Sequence, residues 1–387
     1  MSSLQARLEL TKLARRLNIS TQQLAALSSQ PADNLRLLRR QSTLSLFHRE
    51  HAFFHHLATI LAPLPASLLA ALATRFGPRV TAQLAVALPS AYAAGLAARL
   101  SSELLAQTCL HLDPLRSREL IRHLDLSTLV RAACQLVDKH AFIELGQLAD
   151  FLDDDAIQAV IAAIDDDRAL LSIAYYMESR TRLDHIVQLM PRQRLERIVM
   201  NAADPANDQI CEILALLSSV GYSLRSPLSA LAADQPAQTL TQIILLSDRY
   251  QLWPELLPIL TALNPERQRR LLALPVLLEQ PSLLSHAIEA ADQHGLWSSV
   301  LPLVPLMNNE LVQTVAEQAA RLPDAAIERA MTAALMGEQW QALAQVAQRL
   351  PADKQMLVRS IIVGYGAVDA ELSERLQRLL QAYEIAR

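Results

Sequence analysis

From Phe76 onward, a hydrophobic residue followed by a helix-starting residue recurs every 12 positions. The series runs Phe76-Gly77-Pro78, Leu88-Pro89-Ser90, Leu100-Ser101-Ser102, Leu112-Asp113-Pro114 and Leu124-Asp125-Leu126. Leu136 keeps the spacing, and Val137-Asp138 shifts the cap by one residue. Each Ser or Asp can accept an orphan N–H bond at the start of the next helix. Proline fits the first turn, where its missing N–H costs nothing. Between caps, apolar residues such as Val80, Leu84 and Leu88 fall on one helical face. A helix of about ten residues spans only about 15 Å and is marginal alone, so each must pack on its neighbours. Punctuation of the same kind continues less regularly at Leu152-Asp153, Ile164-Asp165 and Met190-Pro191. Short helices sustained at a fixed period predict a solenoid.

A longer period follows. Trp253, Trp297 and Trp340, the only tryptophans, lie 44 and 43 residues apart. Each opens a matching run: Trp253 with Leu256, Leu257, Leu260 and Leu263; Trp297 with Val300, Leu301, Val304 and Met307; Trp340 with Leu343, Ala344, Ala347 and Leu350. An amphipathic cap near Ala370 to Ala386 closes the chain, and no run alternates like a strand between turn dipeptides. The pattern therefore predicts an all-α fold, an α-solenoid or superhelical array of short helix pairs. Its segments are 1–62, a solenoid of 12-residue period over 63–205, and larger helical units over 206–387.

The 12-residue series from Val80 to about Met200 resembles the cytosolic N-terminal superhelical domain of MgtE-type magnesium transporters. Leu112-Asp113-Pro114, Leu88-Pro89 and Met190-Pro191 carry the resemblance. It covers about a third of the chain and implies a similar scaffold of short capped helices. The ion-sensing domain and pore that follow in those transporters have no counterpart here, so the resemblance does not imply ion transport.

Composition narrows the function classes. A net charge of −4 and a pI near 6.2 do not mark a general binder of nucleic acid or acidic membranes. Only 8 residues are Gly, and none fall in GxGxxG or GxxxxGK[ST], which disfavours a nucleotide enzyme. Cys109, Cys134 and Cys211 form no CxxC and no disulfide framework; Cys109 and Cys134 read as small buried helix residues. The stretch Leu57 to Thr74 is uncharged but carries Pro63 and Pro65, so it reads as a loop between two buried helices rather than a membrane span. With no hydrophobic leader at the N-terminus, a cytoplasmic location is expected.

Three clusters could carry chemistry. Residues 10–29 fit a helix-turn-helix template, with Leu13, Ala14, Leu17, Ile19, Leu24 and Leu27 facing inward. Asn18 tolerates the left-handed turn, and Ser20 caps a second helix whose exposed start holds Thr21, Gln22 and Gln23, where base edges are read. Arg15 and Arg16 lie nearby, and residues 1–49 hold eight Lys or Arg against Glu9 and Asp33, a surplus suited to phosphate contacts. A plain helical end cap explains the same apolar spacing.

His48, His51 and His55 fall within about 60° on one helix, away from an apolar side of Leu46, Phe53, Leu57 and Ile60. Such spacing can place imidazoles on one Zn²⁺, or form a solvated stripe. Asp153, Asp154 and Asp155 precede Asp165, Asp166 and Asp167 by 12 residues. Asp153, Asp154, Asp165 and Asp166 could share a divalent cation on one edge, although capping accounts for acids at helix starts. No catalytic constellation is visible. The expectation is a non-enzymatic, cofactor-free scaffold or adaptor binding a protein partner, with DNA reading through the N-terminus or a cation-responsive domain as alternatives.

Overall fold

A computed structural model of the protein describes residues 4–48 and 51–366, and every regular element among them is a helix. The fold is all-α and solenoid-like. The expected amphipathic cap at Ala370 to Ala386 lies outside the described residues. The chain divides into two compact units, Met1–Asn201 and Ala202–Arg387, so the segments expected at 1–62 and 63–205 share one unit.

The first unit begins with α1 (Leu4–Leu17), a short 3-10 helix (Thr21–Leu27), α2 (Ala32–His48), α3 (His51–Leu61) and α4 (Ala66–Ala87). Shorter helices follow: α5 (Ser90–Ala97), α6 (Ser102–Cys109), α7 (Arg118–His123), α8 (Leu126–Asp138) and α9 (Phe142–Ala149). Then come α10 (Asp154–Ala163), α11 (Asp167–Tyr176), α12 (Arg180–Leu189) and α13 (Arg192–Ala203). Along this run helices touch the next but one: α4 meets α6, α6 meets α8, α8 meets α10 and α10 meets α12, and in the other row α5 meets α7 and α9 meets α11. Two interleaved rows bury what a single short helix cannot.

The punctuation is where the 12-residue pattern puts it, with two exceptions, at Val137-Asp138 and at Asp113-Pro114. Val137-Asp138 ends α8 and caps nothing, since α9 starts at Phe142 after Ala141. Ser101 accepts from the Leu104 N–H at 3.3 Å, Asp125 from Thr128 at 2.8 Å and Asp153 from Ala156 at 2.8 Å. The spaced leucines Leu88, Leu100, Leu112 and Leu136 are buried. Pro78 restarts α4 after a kink at Gly77, whose φ of 78° and ψ of 168° suit glycine alone. At Asp113-Pro114 the expected helix does not start. Asp113 instead accepts from the Arg116 N–H at 2.9 Å in a turn, and the helix begins at Arg118. Asp113 is also buried against Arg16, so its carboxylate closes a turn and meets a charge together. The uncharged Pro63-Pro65 stretch is the α3–α4 connection, as expected.

In the second unit the helices are α14 (Ile210–Ser219), α15 (Tyr222–Ala233), α16 (Ala237–Arg249), α17 (Trp253–Thr261), α18 (Pro265–Leu272) and α19 (Val276–Glu279). α20 (Pro281–Gln293), α21 (Trp297–Val300), α22 (Asn309–Ala319), α23 (Asp324–Met336), α24 (Trp340–Ala347) and α25 (Ala352–Gly366) complete it. All three tryptophans stand first in a helix. Two residues before each, the backbone turns left-handed: Gln251 (φ 59°), Gly295 (φ 66°) and Glu338 (φ 54°). The residue between closes a six-residue ring back to the preceding helix. Leu252 donates to Ser247 O at 2.7 Å, Leu296 to Ala291 O at 2.7 Å and Gln339 to Ala334 O at 2.9 Å. This satisfies a terminal carbonyl and aims the next helix at a fixed angle. Asn18 and His140 make the same turn in the first unit, through Ile19 N to Ala14 O and Ala141 N to Leu136 O.

Side chains tie neighbouring segments of this unit together. Asp248 accepts from Trp253 Nε1 and pairs with His286 Nδ1, both at 2.8 Å. Asp292, 44 residues on, accepts from Trp297 Nε1 at 3.4 Å and takes a two-point grip from Arg329 at 2.8 and 2.7 Å. Arg329 stands 43 residues after His286. The same carboxylate position thus holds its own tryptophan and a nitrogen-bearing side chain, His286 or Arg329, from the following segment.

Candidate protein interface

α1 and α2 pack against each other with the 3-10 helix around a small core of Ala6, Leu10, Leu13, Ala14, Leu24 and Leu35. The turn expected at Asn18 is present, with φ 54°. The second helix of the template differs. It is a 3-10 helix of 7 residues, in which Leu24 is buried while Leu17 and Ile19 before it are each 36% exposed. Gln23 folds back so that its Oε1 accepts from the Ser20 N–H at 2.9 Å. Thr21 and Gln22 are exposed.

The arginines assigned to phosphate meet the chain's own acids. Arg15 pairs with Glu144 at 2.7 Å and Arg16 with Asp113 at 3.4 Å. Beneath them lies a charged network that the sequence pattern gave no reason to expect. Buried Glu9 takes Arg36 at 3.2 Å and Arg39 at 3.0 Å, and Arg39 reaches Glu178 at 2.7 Å. Lys12 is buried beside them; loss of hydration lowers its pKa, partly offset by Glu9 and Glu178. Asp150 is raised mainly by burial while it accepts from the Glu178 N–H at 3.1 Å. Glu9 and Lys12 sit three residues apart and share a helical face, which is the one signal that could have suggested the cluster. The network fixes the position of α1 and α2 on the unit, a registry role for which buried charges suit better than for raw stability.

With α1 covering one side of α2, the other side is left bare. Leu35 and Arg39 are buried, whereas Leu37 is 55% and Leu44 67% exposed. At 100° per residue, Leu37 and Leu44 lie about 20° apart and roughly 160–180° from Leu35. The adjacent α3 repeats this arrangement. Phe54 and Ala58 are buried, while Phe53 (65%) and Ile60 (58%), again seven residues apart, are exposed. On α4, Leu69 and Ala73 are buried and Leu68 is exposed. Of the apolar side expected at Leu46, Phe53, Leu57 and Ile60, Leu57 does pack, partly buried, against the core, while Phe53 and Ile60 are replaced by Phe54 and Ala58; the side chain of Leu46 lies outside the described residues. Ala58 belongs to the buried core and Phe54 is buried, whereas Phe53 and Ile60 face solvent.

Of the histidines, His55 is exposed on α3; the side chains of His48 and His51 lie outside the described residues. The aspartates are engaged within the stack. Asp153 and Asp166 cap α10 and α11. Asp154 holds Arg182 at 2.9 Å and His185 at 2.8 Å, and the two lower its pKa. Its neighbour in the next layer, buried Asp167, holds Arg194 at 2.8 Å and Arg197 at 2.9 Å. Arg182 also donates to Leu152 O, and Arg194 to the carbonyls of Ile161 and Ile164. Asp165 stands just before that cap, where its charge raises the Cys134 thiol after burial does. Among the described residues, no three His, Cys, Asp or Glu side chains converge as a metal site. No described helix is long and apolar enough to cross a membrane.

No family model matches the chain, and neither curated proteins nor solved structures yield a match.

Proposed function

We propose that the protein is a non-enzymatic α-solenoid scaffold or adaptor that binds a protein partner through the bare apolar rows of α2 and α3. The observation that carries this reading is the pair of exposed i, i+7 rows, Leu37–Leu44 and Phe53–Ile60, on two successive, contacting helices. Single exposed leucines are ordinary; an exposed apolar row on each of two successive, contacting helices supports an interaction site. The network of Glu9, Arg39 and Glu178 supports it, because a recognition surface needs its helices held in one position.

DNA reading has less support. Arg15 and Arg16 are spent on Glu144 and Asp113, and a 3-10 helix of 7 residues offers a short, differently spaced face. A cation-responsive role has less support too, since Asp153, Asp154 and Asp166 already serve caps and ion pairs. The scaffold resemblance to the MgtE cytosolic domain is compatible with an adaptor and adds no site.

The test is a paired substitution. Leu37→Ser with Leu44→Ser, and separately Phe53→Ser with Ile60→Ser, remove exposed side chains and leave the core intact. Both should keep the far-ultraviolet circular dichroism and melting temperature of the parent. Partners cross-linked to the parent in cells should be recovered at least tenfold less with either pair, as losing about 1.4 kcal/mol of contact requires. Undiminished recovery with both pairs would refute the assignment.

A further inference from the structure

The second unit holds a partly open apolar pocket of about 120 Å³ walled by α14 to α22 and the 3-10 helix Leu301–Leu306. Its walls include Leu217, Leu240, Ile244, Trp253, Leu257 and Ile288, and no charged side chain lines it. A neighbouring cavity of about 70 Å³ lies around Trp297, also walled by apolar side chains. Natural cores are close-packed, with few voids larger than a water molecule. Water has no reason to fill the larger one, since a buried water needs two to four polar partners and these walls supply almost none. An engineered apolar cavity of about 150 Å³ stays dry and takes up benzene or xenon. This cavity is of that order.

One polar group breaks the apolar wall. Ser229 on α15 is 1% exposed, and its hydroxyl has no hydrogen-bond partner. Buried hydroxyls are ordinarily bonded, and in a helix a serine usually bonds back to a carbonyl one turn earlier. An alanine in its place would have left no unmet donor. The indole of Trp253 forms another wall, and its N–H is turned away to Asp248 at 2.8 Å, so that the ring offers the cavity carbon.

From the volume, the dry walls and the unmet Ser229 hydroxyl, we infer that the second unit is a binding site for a small uncharged apolar molecule of about benzene to short-alkyl-alcohol size. The ring or chain fills the space beside Trp253, and a single polar atom, where the ligand has one, meets Ser229 after rotation of its hydroxyl. A charged ligand is excluded, because no wall group could neutralise it. This inference is independent of the apolar rows on α2 and α3.

The probes are benzene and 1-butanol, added to the full chain. Each should raise the midpoint of the second unit's unfolding by roughly 3–6 °C at tenfold excess over its dissociation constant, as mass action on a domain of this size requires. Because Trp253 lines the cavity, its fluorescence should change along the same titration, and Trp253→Phe should remove most of that change. Ser229→Val satisfies the wall and takes up space. It should raise the starting midpoint while cutting affinity for both probes at least tenfold. Ala232→Leu, at a less buried wall position, is the second filling variant should Ser229→Val fold poorly. No thermal or fluorescence response to either probe would overturn the inference. So would a response that survives both filling substitutions.

Discussion

Replacing Gly146 with alanine places a methyl group where α9 and α11 meet backbone to backbone. A Cβ built there lies 2.6 Å from Ile173 O, 2.8 Å from Tyr176 C and 2.9 Å from Tyr176 Cβ. Comfortable carbon contacts begin near about 3.5 Å, so the two helices must separate by roughly 0.6–0.9 Å. No rotamer relieves the clash, since the nearest atoms belong to the backbone. Overpacking of this kind costs about 1–3 kcal/mol, while alanine regains about 1 kcal/mol of helix propensity over glycine. Because the two nearest atoms are backbone, the upper part of that cost applies, and the net expectation is a loss of about 1–2 kcal/mol. Gly95 supplies the control: a Cβ there meets only Arg99 Nη1, at 3.7 Å, so Gly95→Ala should stabilise by about 0.5–1 kcal/mol. All tryptophans are in the second unit, so indole fluorescence does not report on this change. Urea unfolding followed by circular dichroism, with hydrogen exchange read on the peptides of α9 and α11, is the suitable assay. Equal effects of the two substitutions, or a Gly146→Ala protein as stable as its parent, would refute the close-contact argument.

Two further outcomes follow from ionisable groups. The Asp125 carboxyl is held down to about 2 by hydrogen bonds from Ser127 and Thr128. A depressed carboxylate contributes stability that is present above its ordinary value near 3.8 and lost as pH falls through about 2. Asp125→Ala should therefore cost about 1 kcal/mol at neutral pH, and the gap in urea midpoint from the parent should narrow between pH 4 and 2. A gap constant over that range would count against the cap. Burial pushes the Cys109 thiol up to about 12. Iodoacetamide at pH 8 should accordingly modify the partly exposed Cys134 and Cys211 well before Cys109, as peptide mass mapping can check. Labelling of Cys109 at the pace of the other two in the folded protein would contradict its placement.

What the sequence alone determined is whatever neighbouring residues decide between themselves. Ser101, Asp125, Asp153 and Asp166 cap helices because the N–H groups they satisfy lie two or three residues away. Asn18 turns left-handed for a similarly local reason, and Pro63 and Pro65 separate α3 from α4, Pro65 as the N-cap of α4. Helical class, short elements and the places where they start were therefore legible, as was the shared register of the tryptophans. Which side of a helix turns inward was not, where apolar residues surround it. Phe53 and Phe54 are equally hydrophobic, and only the placement of α3 in the fold buries Phe54 and leaves Phe53 to solvent. Asp113 shows a local preference losing: the cap it could have formed gave way to a turn and a contact with Arg16, 97 residues distant. Charges follow the same division. An arginine reads alike in a sequence whether it faces phosphate or a carboxylate of its own chain, so the partners of Arg15, Arg39, Arg194 and Arg329 came only with the fold. The cavity beside Trp253 is of this second kind as well, because a void is a property of how several helices fail to meet and no single segment encodes it.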